Sequence, residues 1–184
     1  MPHHEQPQKP FIPLRIAVLT VSDSRSLADD RSGSVLVDRL SNAGHRLAAR
    51  DIVTDDVEAI RAVVSDWIDD PGIDVIITTG GTGFTGRDVT PEAVEPLFEK
   101  RMDGFSVVFH MLSYGKIGTS TVQSRATAGV ANATYIFCLP GSPGACKDGW
   151  DGILAAQLDY RTNPCNFVEI MPRLDEHLRR DKAR

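Results

Sequence analysis

Apolar residues fall along this chain in two kinds of run, short compact ones and longer spaced ones, and the two kinds alternate. Arg15–Val21 is a compact apolar run, which predicts a strand. Ser32 then offers an N-cap to a helix carrying Val35, Leu36 and Leu40 on one side, and Gly44 stops it. Residues 45–53 return to strand. The next spaced run places Ile60, Val63, Val64, Trp67 and Ile68 on one side of a helix that Asp70, Pro71 and Gly72 bring to an end. Residues 74–79 are almost all apolar, which predicts a strand in the middle of a sheet, covered on both faces.

In the second half, Thr90 and Pro91 read as N-cap and first residue of a helix through about Phe98, and residues 104–112 continue as helix with Phe105, Val108 and Phe109 together. Residues 115–133 are small and polar and predict no definite element. Thr134–Leu139 is again strand, and Ser142 with Pro143 opens a last helix to about Tyr160. Strands alternating with helices predict an α/β fold of three layers, a mostly parallel sheet with helices on both faces. One domain over residues 11–172 is expected, between a loose arm (1–10) and a charged tail (173–184).

Ligands of such sheets sit beyond the carboxyl ends of the strands. That rule selects three stretches that directly follow strands: Ser22, Asp23 and Ser24; residues 79–88; and residues 140–143.

Composition narrows the chemistry. Of 184 residues, 41% are hydrophobic and 24% charged, with a formal charge of −5. A nucleic-acid platform needs a basic face, so no nucleic-acid partner is expected. A phosphate ligand must be held by local amides, a few basic side chains or a metal. Cys138, Cys146 and Cys165 form no CxxC pair and the five histidines show no metal spacing, which argues against a disulfide framework or a zinc site. No membrane-length apolar run and no secretory signal are seen, so a cytoplasmic chain without a membrane partner is expected.

The most informative stretch is Thr79, Gly80, Gly81, Thr82, Gly83 and onward to Gly86, Arg87 and Asp88. Glycines let the backbone approach a ligand and turn its N–H groups inward. Gly81, Gly83 and Gly86 satisfy G-x-G-x-x-G, but the helix is deferred to Thr90 and no acid follows at the dinucleotide distance. A P-loop would need Lys and Ser or Thr where Arg87 and Asp88 stand. An acid beside a phosphate cradle repels phosphate unless a cation lies between them, so Asp88 reads as a Mg²⁺ ligand rather than a base.

Other candidates carry a plainer reading beside the functional one. Asp55 and Asp56 follow the second strand and precede a helix, and either can be its cap. Ser22, Asp23 and Ser24 can hold phosphate or form a Ser or Asx turn. Pro140, Gly141 and Ser142 lead into a helix whose first-turn amides suit an anion, or form a plain turn. Ser124 and Arg125 bring one cation into a small-residue region, unless Arg125 is a surface charge.

These residues resemble those of the molybdenum cofactor biosynthesis protein B family, and more distantly of molybdopterin adenylyltransferases and the G domain of gephyrin-like proteins. The likeness runs from Phe11-Ile12-Pro13 and Leu19-Thr20-Val21-Ser22, through Thr79 to Gly83, Asp88 and Pro91-Glu92-Ala93, to Gln123-Ser124-Arg125-Ala126, Pro140-Gly141-Ser142 and Asn163-Pro164-Cys165-Asn166-Phe167. It implies a molybdopterin-binding fold that assembles as a homotrimer or homohexamer. It also implies a reaction in which the terminal phosphate of molybdopterin attacks the α-phosphorus of ATP and pyrophosphate leaves. Asp88 matches one acid of that reaction, and Asp55 matches the other, with Asp56 as the alternative. The competing expectation is a non-catalytic protein that binds, stores or delivers molybdopterin.

Overall fold

The computed structural model describes residues 9–177. Of the arm expected over residues 1–10, residues 1–8 lie outside the described residues, as do residues 178–184 of the expected tail. The elements run β1 (Arg15–Val21), α1 (Arg31–Asn42), β2 (Arg46–Val53), α2 (Val57–Asp69), β3 (Val75–Thr79) and α3 (Thr90–Val94). They continue with β4 (Lys100–Arg101), α4 (Asp103–Ile117), β5 (Thr127–Ala131), β6 (Thr134–Leu139), α5 (Pro143–Gly149), α6 (Ala155–Gln157) and α7 (Phe167–Ile170). Among the described residues the strands form one sheet in the order β2-β1-β3-β6-β5-β4. β2, β1, β3 and β6 are parallel; β5 and β4 continue the sheet antiparallel.

Period-two alternation along the strands builds the two faces. Ile16, Val18, Val75, Ile77 and Phe137 pack on one side against Leu36 and Leu40 of α1, Phe105 and Phe109 of α4, and Cys146 of α5. Ala17, Leu19, Ile76, Ile136 and Cys138 pack on the other against Ile60 and Val64 of α2 and Ala93 and Val94 of α3. β3 is buried throughout and central, as its largely apolar run predicts.

Several boundaries differ from expectation, each for a local reason. The cap of α1 is Asp30, not Ser32: its Oδ1 accepts from the Gly33 amide at 2.9 Å. Ser32 sits inside the helix and donates instead to the Gly141 carbonyl at 2.9 Å. Thr90 is likewise no cap. The helix α3 begins on it, and its hydroxyl turns back to the Gly80 carbonyl at 2.8 Å. α3 stops at Val94 because Pro96 follows and tightens the next turn to 3₁₀, Glu95–Leu97. The helical run that opens at Pro143 ends at Gln157, not Tyr160, after a π turn at Trp150–Leu154, and it is not the last, since α7 follows.

Residues 115–133, where no element was expected, hold the end of α4, a 3₁₀ stretch Gly118–Gln123 and β5. The sequence of β5, Thr-Ala-Gly-Val-Ala, is too small in side chain to read as a strand. The structure shows why one residue is Gly: a Cβ on Gly129 would stand 2.3 Å from the Phe98 ring. Asn132 and Ala133, both at positive φ, turn β5 into β6 as a two-residue hairpin.

Asp30 holds more than a helix end. It is buried, accepts from Thr20 Oγ1 at 2.8 Å and pairs with Arg50 of β2 at 3.0 Å, so it joins β1, β2 and α1. Removing a buried partner strands the other charge, so Asp30→Ala is expected to lose about 3–5 kcal/mol. Ser32→Ala, which loses ordinary hydrogen bonds, is expected to lose about 0.5–1.5 kcal/mol. Urea unfolding of both variants checks the contrast, and equal losses would contradict it.

Candidate functional site

The ends of β1, β3 and β6 meet so closely that side chains are excluded. Gly80 follows β3 at φ +108°, and a Cβ there would lie 2.2 Å from the Val21 carbonyl oxygen. Gly81 is at φ +63°, and a Cβ on Gly141 would approach the Gly80 Cα to 3.1 Å. The bend is tied on each side. The Gly80 amide donates to the Leu139 carbonyl at 3.0 Å, and the Thr90 amide donates to the Gly81 carbonyl at 2.9 Å. Thr79 does not face the opening; its hydroxyl donates to the Pro140 carbonyl at 2.9 Å and clamps β3 to β6.

Above this junction lies a cleft of about 320 Å³, with Gly80, Gly81, Thr82 and Gly83 on one wall. Ser22, Ser24, Ser124, Pro140 and Gly141 complete it together with Asp55 and Asp88. The two acids bracket the glycine bend. A Cβ on Gly81 would lie 3.2 Å from Asp55 Oδ1, and one on Gly83 would lie 2.7 Å from Asp88 Oδ2. Asp56 is the cap of α2, accepting from the Ala59 amide at 2.9 Å, so Asp55 is the acid of the pair that faces the cleft.

The two carboxylates are differently placed electrostatically. Burial raises the pKa of Asp55, the nearby charge of Asp23 raises it further and Asp88 adds to the rise; the Asp23 backbone N–H and Arg87 oppose it without cancelling it. Burial also acts to raise Asp88, but hydrogen bonds from the Thr85 hydroxyl at 2.6 Å, the Thr85 amide at 2.8 Å and the Gly83 amide outweigh it and leave Asp88 lowered. Asp23 itself does not line the cleft. It pairs with Arg87 at 2.7 Å and accepts from the Asp55 amide at 3.1 Å, so it latches the glycine loop to the Asp55 turn.

Of the remaining candidates, some are scaffold and some line the opening. Ser22 Oγ accepts from the Ser24 and Arg25 amides, both at 3.3 Å, which makes this stretch a Ser turn whose outer edge lines the cleft. Ser142 caps α5 through the Ala145 amide at 3.1 Å and stands outside it. Arg125 is turned away: its guanidinium donates to the carbonyls of Gly83 at 2.8 Å and Asp88 at 2.9 Å and pairs with Glu92. It thus supports the loop from behind. Ser124 Oγ is buried and has no hydrogen-bond partner.

Sequence reasoning missed the cation that does line the cleft. Arg25 reaches Ser32 Oγ at 3.2 Å and the Gly141 carbonyl at 3.3 Å, so its guanidinium is oriented across the opening. Its place just past the strand-end serines was the available signal. Gln123, adjacent to Ser124, also lines the cleft and was not singled out.

A depression of about 450 Å³ at the opposite ends of β3 and β6 lacks these features. Two of its carboxylates serve the fold, Asp74 held by Arg15 and Asp70 by the Gly72 amide. Burial pushes the Cys138 thiol up to about 12 and that of Cys146 up to about 11, so neither is a nucleophile near neutral pH. Among the described residues no group of three or more His, Cys, Asp or Glu is arranged to hold a metal ion, and no helix is long and apolar enough to cross a membrane.

Residues 17–160 match the family described as "Probable molybdopterin binding domain". The chain is 54% identical over 157 residues to molybdenum cofactor biosynthesis protein B of Escherichia coli K12, a match covering 85% of this chain and 92% of that one. A crystal structure of a molybdenum cofactor biosynthesis protein B superposes with a TM-score of 0.81 at 35% identity, over 93% of this chain and 99% of the other. The molybdopterin biosynthesis enzyme MoaB from Thermus thermophilus gives 0.69 at 32% identity, over 77% of this chain and 89% of the other. With the fold, the strand-end bend and these likenesses in agreement, this chain belongs to the molybdenum cofactor biosynthesis protein B family.

Proposed function

We propose that the cleft binds molybdopterin and ATP and transfers the adenylyl group to the pterin phosphate, with Mg²⁺ held between Asp55 and Asp88. One observation carries this reading: two carboxylates close on a glycine bend, Asp55 at Gly81 and Asp88 at Gly83, and bend and acids line one cleft. Acids so placed repel a phosphate that arrives alone and attract one that arrives with a divalent cation. Two carboxylates also suit Mg²⁺, which ordinarily completes its shell with phosphate oxygens and water. When bound, the ion supplies neutralisation of phosphate charge.

The residues of this chain account for the rest. An oxygen of the pterin's terminal phosphate, already an anion, bonds to the α-phosphorus of ATP. The bond from that phosphorus to the β-phosphate oxygen breaks, and pyrophosphate leaves with its electron pair. No general base is required, in keeping with a cleft lined by neither His nor Cys. The task is to hold anions in line and offset their repulsion. The amides of Gly81 and Thr82, the Ser124 hydroxyl and the Arg25 guanidinium supply donors for that purpose. The name of the Thermus thermophilus structure, a molybdopterin biosynthesis enzyme, agrees with catalysis in this family.

We also infer that the chain assembles with itself, as a trimer or hexamer, through α4. Val107, Met111, Tyr114 and Ile117 of that helix and the nearby Val122 are exposed, which is more apolar surface than a lone helix face usually leaves to water.

Incubating the protein with molybdopterin and MgATP is expected to release one pyrophosphate per pterin adenylylated, and EDTA is expected to stop it. Asp88→Asn should lower turnover about 100-fold while leaving pterin affinity within about threefold, because it weakens charge neutralisation more than contact. Tight pterin binding without magnesium-dependent pyrophosphate release would contradict the catalytic reading.

A second expectation concerns stability. Asp55 has its pKa raised by folding, so its charged form disfavours the folded state, and the penalty is relieved as pH falls through that pKa. In EDTA, Asp55→Asn should therefore melt about 1–3 °C above the wild type near pH 7, with the gap closing toward about pH 4. Thermal melts across that range check it; a variant less stable than the wild type at neutral pH would contradict the repulsion described.

A further inference from the structure

We infer that His110 is a positioning residue of the cleft, acting as an imidazolium that ties α4 to the Ser124 carbonyl. His110 is half-buried on α4, with each ring nitrogen against an acceptor. Nδ1 lies 2.6 Å from the Ser106 carbonyl one turn back, and Nε2 lies 3.0 Å from the Ser124 carbonyl. A carbonyl has no proton to give, and a neutral imidazole carries a single N–H. Either neutral tautomer would set a nitrogen lone pair against an oxygen lone pair. The doubly protonated ring satisfies both contacts at once.

The two contacts are unequal in what they hold. The Ser106 contact lies within α4 and is fixed by the helix itself. The Ser124 contact joins α4 to the wall of the cleft, so it is the one released when the ring loses a proton. On its other side the same segment is hooked to the glycine loop, since the Arg125 amide donates to the Thr82 carbonyl at 2.9 Å. The Ser124–Arg125 peptide is thus held from both sides, and just before it stand Gln123 and Ser124, which line the cleft, the Ser124 hydroxyl being buried without a hydrogen-bond partner.

Charged neighbours are engaged elsewhere. Arg125 is turned to Gly83, Asp88 and Glu92; Lys116 pairs with Asp148; and Asp103 pairs with Arg101. Residues 118–123 and β5 carry no ionisable side chain, and on α4 the phenol of Tyr114 lies one turn along from the ring. Phe109 meets the imidazole edge-on at 5.8 Å.

The consequence for ligand binding rests on the reading of the cleft given above; the tie itself does not. NMR of the full-length protein, following the ¹⁵N signals of the His110 ring and the ¹³C signal of the Ser124 carbonyl, tests the tie without any ligand. The two should titrate together. In parallel, MgATP affinity is measured from about pH 5.5 to about pH 8.5. It should fall about threefold to tenfold more in the wild type than in His110→Arg, which keeps a permanent multi-donor cation. His110→Gln, which keeps hydrogen-bonding capacity without charge, should bind weakly at every pH, with circular dichroism confirming its fold. A Ser124 signal that stays flat while the ring titrates, or one pH profile shared by all three proteins, overturns the proposal. If the wild type binds no MgATP at any pH, the nucleotide reading of the cleft fails, and the paired NMR titration still decides the His110 tie.

Discussion

Three strand ends approach one another more closely than side chains permit, and the site depends on that approach. The Val21 carbonyl occupies the space a Cβ on Gly80 would need, and Gly141 closes on the Gly80 Cα from the other side. A residue with a side chain at Gly80 would meet both a backbone oxygen and an unfavourable positive φ. The contact lowers the glycine bend into the fork between β1, β3 and β6. Thr90, by gripping Gly80 and Gly81 through its hydroxyl and amide, then uses the start of α3 to keep the bend there. Without this junction the backbone of residues 80–83 would face no common space.

Electrostatics follows from the same geometry. Two acids reach the bend from different loops, and Asp23 holds those loops together through Arg87 and the Asp55 amide. Asp88 is stabilised as an anion by Thr85, whereas Asp55 is raised by burial and by its acidic neighbours. A site so arranged is incomplete in charge. Within a chain of formal charge −5, long-range attraction does not bring a phosphate in, so local donors and an accompanying cation must.

The layered fold was legible in the sequence because β1, β3 and β6 carry strong apolar patterns and, with the more polar β2, are joined in one parallel run of the sheet. What was not legible followed from small residues and distant partners. β5 is Thr-Ala-Gly-Val-Ala, and it is a strand because Phe98 and β6 make it one; β4 has two residues. Asp30 outcompetes Ser32 as a cap because Thr20 and Arg50, far off in sequence, hold it in place. Around the cleft, Asp55, Asp88 and the glycines were found by their place after strands, and the choice between Asp55 and Asp56 needed the start of α2. Arg25 and Arg125 show the limit most clearly. Both are arginines near small residues, and three-dimensional partners alone decide that one lines the opening and the other braces the loop from behind.

The central claim is that the glycine bend and its two acids share one ligand through a divalent cation. A crystal grown with MnCl₂ and AMP tests it most directly, since manganese is identified by its anomalous scattering. The account predicts a manganese peak bonded to Asp55, Asp88 and a phosphate oxygen, with that phosphate on the amides of Gly81 and Thr82. A phosphate seated there with no metal, or a metal bound elsewhere while both acids face bulk water, would contradict it.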